Sequence, residues 1–204
     1  MTSTVLSRQW LFLGAALLLI GSVIGWNLYT YRNAIEAGER EHLAHQAKVI
    51  EENLSKQLLA TNRALESIRR DLPLLKAQKD SKVLINSRLQ AMSDTMPGVR
   101  TLFIFDADAT VIASNRKELI GLNFREREYY KTARQSRNPA MLHLSQPYKT
   151  VLGALAMTLV KVIPGKRGEI TGMVGATIDP EYFKTLLNSV RYAPDMWTSL
   201  AHGD

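Results

Sequence analysis

Residues 98–115 read GVRTLFIFDADATVIASN, and this stretch decides the fold. Thr101–Phe105 (TLFIF) and Thr110–Ala113 (TVIA) are rich in β-branched and aromatic residues that suit a pleated surface. Between them stands Asp106-Ala107-Asp108-Ala109, whose aspartates are standard turn formers. The pattern predicts two antiparallel strands joined by a hairpin. Pro97-Gly98 separates it from the preceding segment.

Downstream, Leu119-Ile120-Gly121 leads into a polar helix from about Arg125 to Gln135, which Asn138-Pro139 breaks. Met141–Ser145, Ala154–Val162 and Ile170–Ile178 read as three more strands, the last two joined through Pro164-Gly165-Lys166-Arg167-Gly168. Asp179-Pro180 opens another helix, to about Val190: the carboxylate caps orphan N–H groups, and proline at the first helical position loses no hydrogen bond. The expected fold class is α+β, with helices around a five-stranded antiparallel sheet. Met196–Ala201 reads as a further strand and His202-Gly203-Asp204 as the turn after it. A lone strand cannot bury a face, so it either joins the sheet or begins a second, smaller subdomain. The second reading is preferred.

Upstream, the apolar recurrence changes to helical spacing. Leu43, Ala47, Ile50, Leu54, Leu58, Leu65, Ile68 and Leu72 recur at steps of three, four or seven within Asn33–Lys79. Such a stripe either seals a coiled-coil homodimer or packs on the downstream domain. Pro73 is expected to kink or end the helix, and Ser81–Thr95 reads as a shorter one. Further upstream, Trp10–Trp26 (WLFLGAALLLIGSVIGW) is apolar, and no charge falls between Arg8 and Arg32. Roughly 20 apolar residues cross a bilayer's hydrocarbon core. The run therefore reads as a transmembrane helix with Trp10, Trp26, Tyr29 and Tyr31 as interfacial aromatics. It is longer than a signal-peptide core and lacks a prompt cleavage site, which favours an uncleaved anchor. Flanking charge leaves its orientation open: Arg8 stands on one side, and Arg32, Arg40 and Lys48 on the other.

The 204 residues carry a net charge of +7 and no cysteine. The missing cysteine excludes a disulfide framework, thiolate zinc sites and a thiol nucleophile. The basic excess is scattered: residues 31–97 hold 11 Lys/Arg against 9 Asp/Glu, and residues 98–191 hold 14 against 8. A nucleic-acid binder would show a clustered basic face, so no nucleic-acid partner is expected. Asp106 and Asp108 form a D-x-D pair at a hairpin tip, where turn formation accounts for them. His143 stands alone, without a second ligand at metal spacing. No nucleophile elbow or phosphate-cradling loop is present, so neither a catalytic residue nor a cofactor is expected.

The order anchor, long helix, then GVRTLFIFDADATVIASN, LIGLNFREREYYKTA, SQPYKT and GEITGMVGATIDPEYFKTLL resembles the extracytoplasmic Cache sensor domains of bacterial signalling proteins. The resemblance is to the double-Cache type that precedes diguanylate cyclase (GGDEF) or histidine kinase outputs. It implies a PAS-like sheet with the long helix packed along it, a small-molecule pocket, and a periplasmic domain on an inner-membrane anchor. The implied organisation is a cytoplasmic tail over 1–9, a transmembrane helix over 10–31 and a long and a short helix over 32–97. The sensor domain follows over 98–191, and the start of a membrane-proximal subdomain over 192–204. The chain carries no GGDEF-type loop. None of His42, His45, His143 and His202 stands in a phosphoacceptor context. The resemblance therefore implies the input part of a longer signalling protein or a stand-alone sensor.

In that family an arginine and two aromatics at the start of the pocket helix contact the ligand. The matching residues are Arg127, Tyr129 and Tyr130, with Tyr148 in the opposite wall and Arg125 close by. A guanidinium offers a planar fork to a carboxylate, and aromatic faces enclose the remainder. Three positions depart from the amino-acid-binding members. Tyr129 stands where they have tryptophan, Leu122 where they have tyrosine, and Thr150 where they have the acid that holds an ammonium group. The departures favour a simple carboxylate over an α-amino acid. The competing reading pairs Arg127 with Glu126 or Glu128 on the surface and leaves the tyrosines as ordinary half-buried aromatics. The family also often has glycine where Ala109 stands, a position suited to positive φ.

Overall fold

Leu102 and Ile104 on one side, and Phe103 and Phe105 on the other, are all buried, so the first strand is covered on both faces. The computed structural model describes residues 3–136, 138–193 and 195–199. Two long helices come first, α1 (Ser3–Lys76) and α2 (Ser81–Asp94). The hairpin β1 (Val99–Asp106) and β2 (Val111–Ser114) follows, then a single 3-10 turn at Lys117–Leu119. Next come α3 (Glu128–Gln135), β3 (His143–Leu144), β4 (Tyr148–Lys149), β5 (Leu155–Pro164), β6 (Ile170–Ile178) and α4 (Pro180–Ser189).

The chain divides into two compact units, 1–51 and 52–204. The first is helical and holds a stretch long and apolar enough to cross a membrane. Within that stretch Leu17, Leu18, Leu19 and Val23 are uncovered by protein. The second unit contains a six-stranded antiparallel sheet in the order β2-β1-β6-β5-β3, with β4 also on β5. The fold is thus α+β with one antiparallel sheet, as the sequence implies. The sheet has six strands rather than five because Tyr148-Lys149 pairs with Leu155-Ala156, a strand too short to leave a periodic signal.

One face of the sheet carries Leu102, Ile104, Leu159, Val174, Ala176 and Ile178. Leu65, Ile68 and Leu72 of α1 pack on it, with Ile85 and Leu89 of α2. The distal part of the apolar stripe therefore serves the chain's own sheet and is not available to a coiled coil. Pro73 lies inside α1 and does not end it at once; the helix continues to Lys76. The opposite face carries Phe103, Phe105, Val160, Val162 and Met173 beneath Tyr129, Tyr130 and Ala133 of α3. Gly175 of β6 lies between Phe103 and Val160, and a methyl there would run into the Phe103 ring.

One polar group crosses the helix-covered face. Lys161 of β5 is 4 % exposed and its Nζ lies 2.9 Å from Glu66 of α1. Arg69 donates to the same carboxylate at 2.6 Å and to the Val162 carbonyl at 3.2 Å.

The β1–β2 turn is built as expected. Asp106 Oδ1 accepts from the backbone N–H groups of Asp108 and Thr110, both at 2.9 Å. Ala109 takes φ +68°, a left-handed conformation that glycine would adopt without strain, and its methyl is fully buried. Asp179 caps α4 by accepting from Glu181 N–H, with Pro180 at the first turn. Helix α3 starts at Glu128, three residues later than expected, because residues 125–126 form a turn, closed by Arg127 N–H on the Phe124 carbonyl, and the extended Arg127 stands as the cap. Residues 196–199 form no strand; residues 200–204, the rest of that expected element and its turn, lie outside the described residues.

Candidate functional site

The N-terminal end of α3 and the β4–β5 hairpin meet over the Phe103/Phe105 face. Strand β4 sets Tyr148 opposite Ala156. The connecting loop closes by hydrogen bonds from Thr150 N–H to the Ala154 carbonyl (2.8 Å) and from Gly153 N–H to the Thr150 carbonyl (3.0 Å). Gly153 supplies the φ of +81° that the loop needs. The Tyr148 hydroxyl lies 2.6 Å from Thr158 Oγ1, which pins the ring across β5. Arg127 projects from the cap of α3 with its Cζ 5.1 Å from the centroid of the Tyr148 ring, a cation–π contact. The Tyr129 ring packs 5.6 Å from Tyr148 and stacks on Phe105 at 6.5 Å.

These groups enclose a cavity of about 250 Å³. Phe103, Phe105, Phe124, Tyr129 and Tyr148 form its apolar wall, and Thr101, Thr150 and Thr177 contribute hydroxyls. Three arginines reach it, Arg100, Arg116 and Arg127, and among the described residues no carboxylate lines it. Arg100 is already paired with Asp179, at 2.5 Å from Nη2 and 2.8 Å from Nε. The surface pairing that competes for Arg127 is not made: Glu126 and Glu128 both turn to Lys131, at 3.1 and 3.6 Å. Thr150 Oγ1 is buried without a hydrogen-bond partner among the described residues. Burial, then the neighbouring Tyr148, pushes the Tyr129 phenol far above its ordinary range, so it stays a neutral hydroxyl.

Of the residues the sequence singles out, Arg127, Tyr129, Tyr148 and Thr150 come together at this cavity. The other two stand elsewhere. Tyr130 is buried in the core and donates to the Ala107 carbonyl at 2.8 Å, tying α3 to the hairpin turn. Arg125 pairs with Asp108 at 2.7 Å on the exposed hairpin tip. Arg100 and Arg116 were missed by sequence reasoning. The alternation Thr101, Phe103, Phe105 marks the cavity face of β1, but Arg116 lies beyond the end of β2, where no period applies. Among the described residues no cluster of three potential metal ligands occurs.

A second hollow, of about 630 Å³, lies beyond Arg127, Tyr129 and Tyr148 and is lined by Glu126, Glu128 and His143. Its two glutamates disfavour an anion. His143 Nε2 is buried without a partner among the described residues, and desolvation holds its pKa below the ordinary histidine value.

No family model matches the chain, and no curated protein matches it in sequence. Solved structures do match it in fold. The extracellular domain of rpHK1S-Z16, described as a histidine kinase, aligns with a TM-score of 0.62 at 22% identity, over 72% of this chain and 60% of that one. The ligand-binding domain of the Pseudomonas fluorescens chemoreceptor CtaA, in complex with L-isoleucine, aligns at 0.60 and 20% identity, over 79% and 65%. That of the Pseudomonas aeruginosa amino-acid chemoreceptor PctC, in complex with GABA, aligns at 0.58 and 18%, over 73% and 67%. The chain thus spans about 60–67% of the length of these domains. At these identities the likeness shows the fold: that of extracellular sensor domains.

Proposed function

We propose that the chain is the input part of a membrane-anchored bacterial sensor and that its cavity binds a small carboxylate. The observation that carries this reading is Arg127. It lies at an aromatic-walled cavity with no carboxylate paired to it, beside the orphaned Thr150 hydroxyl. A carboxylate would take the guanidinium fork, and a neutral apolar body would lie against Tyr129, Tyr148 and Phe105. Among the described residues no acid lines the cavity, which disfavours an α-amino group, since it would be desolvated without a counter-charge.

In this reading residues 1–9 are a cytoplasmic tail, 10–31 span the inner membrane, and 32–97 connect the anchor to a periplasmic domain over 98–191. Residues 192–204 begin a membrane-proximal subdomain. Two copies associate through the exposed part of the long helix, where Leu43 is uncovered. The output is a histidine kinase or a diguanylate cyclase. Signalling needs no chemistry, only a different affinity of the ligand for two arrangements of the helix and sheet.

Isothermal titration calorimetry on the full chain in detergent micelles tests the site. Butyrate is expected to bind the parent and not Arg127→Gln, and to bind more tightly than GABA, which adds an ammonium group to the same chain. Equal binding by parent and Arg127→Gln, or no binding of any carboxylate, overturns the reading.

A further inference from the structure

We infer that the cavity takes a ligand with two separated anionic ends, a short dicarboxylate, and that Arg116 is the second anchor. This rests on the carboxylate reading of the site and names its ligand class. Three guanidinia line the cavity, and among the described residues only Arg100 has a carboxylate partner, Asp179. Arg116, like Arg127, forms no ion pair among the described residues; its Nε donates weakly, at 3.4 Å, to the Arg100 carbonyl. Both side chains are partly buried. Two uncompensated cations at one partly desolvated cavity are costly, and an anion of matching charge relieves both at once.

Their placement decides how that charge is distributed. Arg116 is held at the start of β1 through the Arg100 carbonyl. Arg127 lies over Tyr148, whose hydroxyl is fixed to Thr158 of β5. In the sheet β6 separates β1 from β5, so the two anchor points are two strand spacings apart, about 10 Å. A charge-assisted hydrogen bond at each end takes about 2.8 Å. Two carboxylates on one short carbon chain can reach arginines held from different strands, whereas a single phosphorus centre carries both charges at one point. The cavity volume of about 250 Å³ admits a molecule of this size. The chain of the ligand would cross the Phe103 and Phe105 rings.

Calorimetry on the full chain in micelles, at a pH where both carboxyls are ionised, compares succinate and glutarate with butyrate, valerate and inorganic phosphate. One dicarboxylate is expected to bind about tenfold to a hundredfold more tightly than the monocarboxylate of equal length, the weight of one additional charge-assisted contact. Arg116→Gln is expected to remove that preference, so that the dicarboxylate and the monocarboxylate of equal length bind alike. Arg116→Lys is expected to keep part of the preference, and Arg127→Gln to lose both classes. A cooperative melt of each unliganded variant shows that it is folded. Dicarboxylates binding no better than monocarboxylates, phosphate binding as well as succinate, or a preference that survives Arg116→Gln overturns this inference. Monocarboxylate binding that depends on Arg127 would in each case leave the simpler carboxylate site standing. No binding by any of these anions overturns both.

Discussion

Removing the carboxylate at Glu66 is expected to cost far more than removing the ammonium it serves. Lys161 sits in the helix-covered face of the sheet with its Nζ 2.9 Å from Glu66, and its side chain is 5 % exposed. Glu66→Gln keeps the size and one acceptor but leaves that ammonium buried without its counter-charge. Breaking a fully buried pair in this way costs 3–5 kcal/mol. The Glu66 side chain is 43 % exposed, so water partly screens the loss, and about 2 kcal/mol is the expected magnitude. For a unit of this size that is a fall of roughly 4–8 °C in melting temperature. Lys161→Met removes the charge instead and fills the same space with apolar atoms, so it is expected to change stability by less than about 1 kcal/mol. Circular dichroism melts of the full chain in micelles, parent against each variant, read both. If Lys161→Met melts as low as Glu66→Gln, the attraction rather than the burial cost holds the pair, and the reasoning is refuted. Equal melting of parent and Glu66→Gln refutes it as well.

Gly175→Ala drives a methyl into the Phe103 ring and is expected to destabilise by about 1–3 kcal/mol, read by the same melts; an unchanged melt would mean that the ring has room to move. Ala109→Gly relieves the φ of +68° but gives up a buried methyl and frees the unfolded chain, so the terms nearly cancel and a change of less than about 1 kcal/mol is expected; a loss of about 2 kcal/mol or more would contradict the strain argument. His143 has a folded pKa depressed by burial, so its contribution is present above its unfolded value, about 6.5, and is lost as pH falls from there toward the folded pKa. His143→Leu should therefore flatten the fall in melting temperature between pH 7 and 5, and an unaltered profile would sink this assignment.

Where side-chain period governs, the sequence was readable. The strand runs Thr101–Phe105, Ala154–Val162 and Ile170–Ile178 fall within observed strands or within a residue of them, because both faces are covered and the apolar residues are continuous. Asp179-Pro180 marked its helix start to the residue because capping is local chemistry. Positions set by tertiary contact were not readable. Nothing near Lys161 in sequence indicates that its partner is on α1, 95 positions earlier, and a lysine between Val160 and Val162 has no period to betray its burial. At the site, Arg127, Tyr129 and Tyr148 were legible as a motif, whereas Arg116 enters from the opposite edge of the sheet. Arg125 is one turn position too early and is drawn to Asp108.

Strand β5 has two audiences. Its even-numbered side chains, Ala156, Thr158, Val160 and Val162, belong to the cavity side; its odd-numbered ones, Met157, Leu159, Lys161 and Ile163, belong to α1. The alternation makes these two sets separately editable. Substitution can rewrite every second letter of the strand while the letters between them go on holding the helix, so the lining of the cavity can change without loosening the packing behind it.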